Sequence, residues 1–287
     1  GGSINDNFEY QMPVASAQVK SSLILASLSS GNSIRIQEPK VTRDHTEKMI
    51  EYCGGKIDVQ NSSEGKIITL NKSDLSEISS YEVVGDFSSA AFIIIAALIS
   101  KKSKVLIKNV GLNETRTGLL KVLLKMNADI EIINQRKIFN EPCGDLIVKS
   151  SDLEGINVPD YIIPNIIDEI PILCIAACFA KGCTVIKNAS ELKIKESDRL
   201  KATSEGLEAI NVKHDLLDDG LIIEGSDKEI IPLEDIDSFG DHRIAMSFLV
   251  AGLRTKDGIT VKNCRNIETS FPDFCNIMNG LGMKINE

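Results

Sequence analysis

A charged segment, Glu191–Arg199, holds the residues whose types and spacing are best suited to chemistry. An alternating apolar stretch typical of a strand precedes it, and apolar residues at helical spacing follow it. The segment is therefore predicted to connect a strand to a helix. Ser197 is the predicted N-cap of that helix, which places Lys195 and Glu196 just outside the helix and Arg199 in its first turn.

Such a helix start can serve two kinds of chemistry. Free N–H groups, the positive end of the helix dipole and the cations Lys195 and Arg199 favour a phosphate or carboxylate ligand. Glu196, held among these cations, is suited to proton transfer. The alternative interpretation is a solvated cluster of salt bridges that opens a surface helix.

Polar residues also stand at the predicted starts of the long apolar helices. Asp168 and Glu169 adjoin a strongly apolar run, and Arg243 puts a cation where the helix dipole calls for an anionic partner. Asp86 with Ser88 is better explained by capping of a helix. Because corresponding ends of repeated helices can converge on one cleft, these positions indicate a binding site.

The composition of the chain excludes several functions. The 287 residues allow two domains, or one and part of another, and a net charge of −9 with few aromatic residues argues against a nucleic-acid surface. No Walker or dinucleotide glycine motif is present, and the three His and seven Cys lack metal-ligand spacing, so no cofactor or metal is expected. The longest apolar run, 162–180, contains Asp168, Glu169 and two prolines, which disfavours a membrane span. A soluble cytoplasmic protein is expected.

One pattern of elements recurs along the chain: a helix rich in Ala, Ile and Leu, a strand, a second helix and one or two closing strands. The strands that start near Val105, Thr184 and Ile259 are 79 and 75 residues apart. This period is longer than that of solenoid repeats, and it predicts an α/β fold of about four βαβαββ units around a shared core.

The repeat also predicts the positions of its turns and the elements of its last unit. Gly85, Gly182 and Gly258 are predicted to occupy matching turns. The last unit is predicted to contain a helix over 242–253, a strand over 259–263, a helix over 271–280 and a final strand over 283–285.

Six motifs along the chain resemble those of the 5-enolpyruvylshikimate-3-phosphate synthase family and occur in the family's order. They are Ser16–Gln18, Thr42–Lys48, Gly85–Ala90, Asn113–Gly118, Glu191–Leu200 and Asp241–Ser247. The first two are similar to the class II bacterial type, which includes glyphosate-tolerant enzymes. The resemblance implies an inside-out α/β barrel of six βαβαββ units in two globular domains that face one cleft.

About four of these six units are identified in the chain. The resemblance implies that residues 4–80 form the last unit of an incomplete first globular domain and that residues 81–287 form the second domain, with three units. The N-terminal part of the family, which carries further contacts to both substrates, is expected to be missing.

The family transfers the carboxyvinyl group of phosphoenolpyruvate to the 5-hydroxyl of shikimate 3-phosphate and releases phosphate, in the shikimate pathway to aromatic amino acids. By resemblance, the residues at shikimate 3-phosphate are Ser16, Ala17, Gln18, Arg43, Asp168 and Lys195. Those at phosphoenolpyruvate are Gln18, Arg199, Arg243 and, as a weaker candidate, His242.

The resemblance also implies catalytic roles for three residues. Asp168 would accept the proton of the 5-hydroxyl as that oxygen attacks C2 of phosphoenolpyruvate, and Lys195 would neutralise charge nearby. Glu196 would protonate the methylene carbon. Arg199 and Arg243 would clamp the phosphate and carboxylate groups, for which a planar guanidinium is well suited.

Two other functions stay open at this point. One is the sister enzyme that transfers the same group to UDP-N-acetylglucosamine, although the run Lys195–Arg199 speaks against it. The other is a non-catalytic half that needs a complementary N-terminal fragment, which an exposed apolar edge around residues 4–36 would favour. Glyphosate is a further candidate ligand, as an inhibitor.

Overall fold

The structure is a computed structural model and describes residues 6–63 and 65–286. The chain divides into two compact units. The first comprises the residues up to 84 together with 111–115 and 136–143, and the second comprises 85–110, 116–135 and the residues from 144 onward. The assignment of residues 4–80 and 81–287 to the family's two globular domains stays a prediction.

The first unit is a four-stranded sheet with two helices. Its elements are β1 (Phe8–Gln11), α1 (Ala17–Ser30), β2 (Ile34–Glu38), α2 (His45–Tyr52), β3 (Ile57–Ser62) and β4 (Gly65–Leu70). The strand order is β1-β2-β4-β3, in which β1 runs parallel to β2 and β4 runs antiparallel to β2 and β3. Alternate residues of β2, Ile34 and Ile36, point into a core that also includes Ile24 of α1 and Ile50 of α2.

The apolar edge expected around residues 4–36 is only partly described. Val14, Val19 and Leu25 are exposed, and the last two lie on α1. Residues 4 and 5 lie outside the described residues.

The second unit is built on three apolar helices. Its helices are α3 (Phe87–Ile99), α4 (Gly118–Lys125), α5 (Ile170–Cys178), α6 (Arg199–Ala209), α7 (His242–Ala251), α8 (Ile267–Ser270) and α9 (Phe274–Gly280). All nine residues of α5 are buried, and α5 packs against both α3 and α7. Because a helix that is apolar all round must be buried, these three helices form the core of the unit.

The remaining strands form small sheets. They are β5 (Lys104–Gly111), β6 (Ile130–Ile138), β7 (Glu141–Lys149), β8 (Gly182–Ile186), β9 (His214–Leu217), β10 (Gly220–Gly225), β11 (Ile236–Asp237) and β12 (Val261–Lys262). The orders β5-β7-β6 and β8-β10-β9 match β2-β4-β3 of the first unit, with the last strand of each set in the middle. This shared order supports an α/β fold with a repeated pattern, while the number of units stays a prediction.

The last stretch of the chain departs from the predicted pattern. The strand expected over 259–263 contains only Val261–Lys262, the helix expected over 271–280 begins at Phe274, and no strand is assigned over the described residues 283–285. β12 pairs in parallel with β11 instead of with a closing hairpin. Since a strand forms only where a partner accepts its hydrogen bonds, the apolar alternation at 283–285 was not sufficient.

The expected match of three turn glycines is wrong for Gly85. Gly182 and Gly258 have left-handed backbones, with φ of +92° and +80°, whereas Gly85 pairs with Val110 in a short parallel bridge. Lys102, with φ of +56°, has the left-handed conformation in the turn before β5. Glycine favours this conformation but is not required for it, so the glycine pattern misplaced the turn.

No helix within the described residues is long and apolar enough to cross a membrane. The cytoplasmic location stays a prediction.

Candidate active site

Carboxylates cap two of the helices whose starts carry candidate residues. Asp86 Oδ2 accepts from the N–H of Ser89 at 2.9 Å, and Asp241 Oδ1 accepts from the N–H of Arg243 at 2.9 Å. Each satisfies a helix donor that has no intrahelical partner. The prediction that Asp86 caps a helix is confirmed, but capping is not its only contact, because Arg116 Nη2 also donates to Asp86 Oδ1 at 2.9 Å.

The N-cap predicted at Ser197 is wrong by one residue. Asp198 is the N-cap of α6, and its Oδ1 accepts from the N–H of Lys201 at 3.1 Å. The hydroxyl of Ser197 donates instead to Asp241 Oδ2 at 3.1 Å. The predicted places of Lys195 and Glu196 outside the helix, and of Arg199 in its first turn, are confirmed.

Arg199 is the centre of the site. Its side chain is only 1% exposed, and all three of its guanidinium nitrogens contact carboxylates. Nε donates to Asp241 Oδ2 at 2.8 Å, Nη1 to Asp168 Oδ1 at 3.3 Å, and Nη2 to Glu196 Oε2. A buried guanidinium needs such partners, because an unpaired charge in the interior is costly.

Lys195 joins the same cluster from the segment before α6. Its Nζ lies 3.6 Å from Asp168 Oδ1 and 2.5 Å from Glu191 Oε1. Asp168 therefore lies between two cations, one buried and one partly exposed. The structure brings Asp168, Lys195, Glu196 and Arg199 together as the sequence indicated.

Asp241 anchors Arg199 from the start of α7. Burial alone would raise the pKa of Asp241, but the hydrogen bonds and charge of Arg199 outweigh it and hold the pKa below its usual value. Asp241 is therefore a buried carboxylate that keeps its charge. Asp241 belongs to the motif Asp241–Ser247 at a helix start, but the sequence assigned it no role in the site.

Arg243 enters the cluster by its Nη1 atom. Nη1 donates to the backbone carbonyl of Asp168 at 2.9 Å and lies 3.5 Å from Glu169 Oε1. His242, the first residue of α7, is partly buried, and burial together with the charge of Arg243 lowers its pKa. His242 is therefore disposed to be neutral, which makes it a hydrogen-bonding group and not a cation at this site.

Three further residues line this side of the cluster: Ser88, Arg116 and Glu169. Ser88 donates to Glu169 Oε1, and Arg116 Nη2 donates to Ser88 Oγ at 2.6 Å. Sequence reasoning treated Ser88 with Asp86 as a cap and assigned no role to Arg116. Their side-chain contacts join residues up to 81 positions apart, so no local pattern reveals them.

The other four predicted substrate residues lie in the first unit. Ser16 caps α1 by accepting from the N–H of Val19 at 3.3 Å, Ala17 begins that helix, and Gln18 is exposed. Arg43 is exposed on the segment between β2 and α2.

A buried salt-bridge cluster holds these two segments of the first unit. Lys20 of α1 lies 3.0 Å from Glu38 Oε2 and 2.6 Å from Glu47 Oε1. Thr42, next to Arg43, donates its hydroxyl to Glu38 Oε2 at 2.7 Å. The start of α1 and the Thr42–Arg43 segment are thus tied to the same carboxylate.

Among the described residues, no group of three or more His, Cys, Asp or Glu side chains is placed to hold a metal ion. The cluster in the second unit is instead an arrangement of guanidinium and ammonium groups with carboxylates. Cations of this kind bind phosphate and carboxylate groups, and a carboxylate beside them can accept or donate a proton.

Comparisons with known proteins agree with this chemistry. The sequence profile of "EPSP synthase (3-phosphoshikimate 1-carboxyvinyltransferase)" matches residues 3–278. The 3-phosphoshikimate 1-carboxyvinyltransferase of Magnetococcus marinus is 42% identical over 278 residues, which cover 97% of this chain and 62% of the relative. That of Petrotoga mobilis is 48% identical over 268 residues, covering 93% of this chain and 61% of the relative.

Solved structures of EPSP synthases are also similar to this chain. The EPSP synthase of Acinetobacter baumannii superposes with a TM-score of 0.90 and 40% identity, over 98% of this chain and 64% of that protein. The enolpyruvyl transferase NikO of Streptomyces tendae, with a TM-score of 0.72 and 16% identity, shares the fold. The chain spans less than two thirds of the length of the curated relatives it matches. On sequence and on structure, this chain belongs to the EPSP synthase family.

Proposed function

We propose that this chain transfers the carboxyvinyl group of phosphoenolpyruvate to the 5-hydroxyl of shikimate 3-phosphate and releases phosphate. The observation that carries the proposal is the contact of Asp168 with both Lys195 and Arg199. A carboxylate next to two cations can take a hydroxyl proton while the cations stabilise negative charge that develops on the reacting oxygens. Family membership supports the same reaction.

The proposed reaction has an addition step and an elimination step. In the addition, Asp168 accepts the proton of the 5-hydroxyl, the oxygen bonds to C2 of phosphoenolpyruvate, and Glu196 gives a proton to the methylene carbon. In the elimination, Glu196 takes a proton back from the new methyl group and the double bond reforms. The C2–O bond to phosphate breaks with its electron pair on the departing phosphate oxygen, which takes up the proton held by Asp168. Lys195 stabilises the charge at the reacting oxygen in both steps.

The substrates' anionic groups require cations with donors that point outward. We propose that Arg199 and Arg243 hold the phosphate and carboxylate of phosphoenolpyruvate, with His242 as a neutral partner. Glu196, which is 55% exposed, is the partner of Arg199 that a ligand can displace at least cost. Ser16, Ala17, Gln18, Arg43, Asp168 and Lys195 are the proposed contacts of shikimate 3-phosphate.

Glyphosate is a proposed inhibitor by the same chemistry. It carries a carboxylate and a phosphonate, so Arg199 and Arg243 are its expected partners. The comparisons do not favour UDP-N-acetylglucosamine as the acceptor, and they indicate no complementary fragment.

The acceptor and product can be tested together. The purified chain is incubated with phosphoenolpyruvate and either shikimate 3-phosphate or UDP-N-acetylglucosamine, and the products are identified by mass spectrometry. We expect a carboxyvinyl ether of shikimate 3-phosphate alone. A carboxyvinyl ether of the nucleotide sugar would contradict the proposal, and binding of shikimate 3-phosphate without product would identify a non-catalytic half.

A further inference from the structure

Glu169 is a buried carboxyl group next to the proposed base, and the proposed reaction gives it no role. It is only 4% exposed and lies directly before α5, whose residues are all buried. Burial raises its pKa, against the opposing influence of Arg243, Ser88 and Arg116. Because a buried carboxyl group is costly without partners, Glu169 depends on the contacts around it.

Those contacts form a chain of hydrogen bonds in which each residue donates to the next, from Arg116 through Ser88 to Glu169. Arg116 Nη2 donates to Ser88 Oγ at 2.6 Å and to Asp86 Oδ1 at 2.9 Å. A guanidinium can only donate, so Ser88 accepts from Arg116 and its own hydroxyl hydrogen goes to Glu169 Oε1. Ser88 at the start of α3 and Arg116, two residues before α4, thus fix the orientation of the Glu169 carboxyl group.

The oriented carboxyl group faces Arg243. Glu169 Oε1 lies 3.5 Å from Arg243 Nη1, and the same Nη1 donates to the Asp168 carbonyl at 2.9 Å. Among the residues that the structure describes, Nε and Nη2 of Arg243 make no hydrogen bond or ion pair. Arg243 is therefore held at one end of its guanidinium, and its other donors are left for a ligand.

This arrangement differs from that of Arg199, all three of whose nitrogens contact carboxylates. Of the two arginines, Arg243 has more unused donors. An anion that meets both arginines would gain its new hydrogen bonds mainly from Arg243, provided that the side chain is held in place.

We infer that Glu169 is a positioning residue, fixed by Ser88 and Arg116, that orients Arg243 toward the anionic end of phosphoenolpyruvate. The inference rests on the proposed function. It gives Glu169, Ser88 and Arg116 a part in the binding of phosphoenolpyruvate. Since Arg243 is the side chain that Glu169 orients, loss of the contact should weaken phosphoenolpyruvate binding and spare shikimate 3-phosphate binding.

Three variants of the full chain test this inference by titration calorimetry, with each substrate titrated on its own so that no turnover contributes heat. Ser88→Ala removes the donor to Glu169, Glu169→Ala removes the carboxyl group, and Glu169→Gln keeps an acceptor oxygen. Thr184→Val is the matched control, because Thr184 also has a fully buried hydroxyl but no hydrogen-bond partner among the described residues.

We expect Ser88→Ala and Glu169→Ala to weaken phosphoenolpyruvate binding about tenfold, the usual effect of losing a hydrogen bond to a charged group. Glu169→Gln should restore part of the loss. Shikimate 3-phosphate binding should change less than about twofold in every variant, which is within the scatter of a neutral substitution. Thr184→Val should bind both substrates as the wild type does.

Two results would overturn this inference and leave the proposed function standing. They are unchanged phosphoenolpyruvate affinity in Ser88→Ala and an equal loss of affinity for both substrates. If Glu169→Ala does not fold, Ser88→Ala decides the question. Failure of the wild-type chain to bind phosphoenolpyruvate would overturn the proposed function as well, and that failure is seen before any variant is compared.

Discussion

Lys20 in the first unit and Arg199 in the second are both cations with side chains that are 1% exposed. Each is outnumbered by the carboxylates around it, which are Glu38 and Glu47 for Lys20 and Asp168, Glu196 and Asp241 for Arg199. In both places the carboxylates come from separate elements, so each cation ties several segments together.

The two clusters differ in the exposure of the carboxylates. Both partners of Lys20 are buried too, so the cluster is closed to solvent. Of the partners of Arg199, Asp241 is fully buried, whereas Asp168 is partly exposed and Glu196 largely so. A ligand can reach the second cluster and exchange with its carboxylates. The exposure of the partners, and not that of the cation, separates a structural cluster from a candidate active site.

The largest expected effect is on turnover, at the Arg199 cluster, whose carboxylates Asp168 and Glu196 are open to solvent. Asp168→Asn should lower kcat by about 10²–10⁴-fold, because a positioned general base contributes on that scale. Stability should change little, since Arg199 keeps Glu196 and Asp241 as partners. Steady-state kinetics and thermal unfolding of the same preparation check both points, and normal turnover in the variant would remove Asp168 from its role.

The next effect is on stability, at the closed cluster. Lys20→Met should destabilise the chain by about 3–5 kcal/mol, because removal of one partner from a buried ion pair leaves uncompensated charge. Urea denaturation measures the change. The control is Lys40→Met, at an exposed lysine of the same unit, which should stay within about 0.5 kcal/mol of wild type. A similar small change for Lys20→Met would mean that its cluster is not structural.

A smaller effect is expected when the buried partner of Arg199 loses its charge. Asp241→Asn should cost roughly 1.5–3 kcal/mol at neutral pH, as expected for hydrogen bonds to a charged group, while an Asn side chain still caps α7. Because the pKa of Asp241 is lowered on folding, its contribution is present above its ordinary pKa of 3.8 and lost as the pH falls through the lower folded value.

Acid unfolding followed by circular dichroism tests the sign of this linkage. The free energy of unfolding of the wild type should fall more steeply below about pH 4 than that of Asp241→Asn. Only in the wild type does unfolding release a carboxylate at this position that then binds a proton. Parallel curves for the two proteins would contradict the lowered pKa.

The smallest expected effect on stability is at the exposed partner of Arg199. Glu196→Gln should change the free energy of unfolding by only about 0–1 kcal/mol, the usual range for an exposed ion pair. Turnover should nevertheless fall, because the amide cannot deliver a proton. A loss of stability as large as that of Asp241→Asn would erase the distinction between buried and exposed partners.

Much of the local structure could be predicted from the sequence. Residues that alternate between apolar and polar, such as Ile34 to Ile36, lie on strands, and the continuous apolar run before Phe179 forms a buried helix. These patterns are local because burial of one face has a fixed period along the chain. The charged segment before α6 was likewise placed correctly, with an error of one residue at its cap.

The contacts across the chain could not be predicted in the same way. Ser88 meets Glu169, and Arg199 meets Asp241, through packing of helices distant in sequence. A polar residue at a helix start can cap its own helix or bond to another, and only the packing decides between these uses. Asp241 does both, and the sequence around it does not distinguish the two uses.

The most direct test of the open cluster is shikimate 3-phosphate-dependent release of phosphate from phosphoenolpyruvate, measured for the wild-type chain, Lys195→Ala and Lys193→Ala. Lys193 is exposed on the same segment, so its variant controls for the loss of a nearby charge. We predict that release requires shikimate 3-phosphate, is lost in Lys195→Ala and persists in Lys193→Ala. Release without shikimate 3-phosphate, or undiminished release by Lys195→Ala, would contradict a catalytic role for the cluster around Asp168 and Arg199.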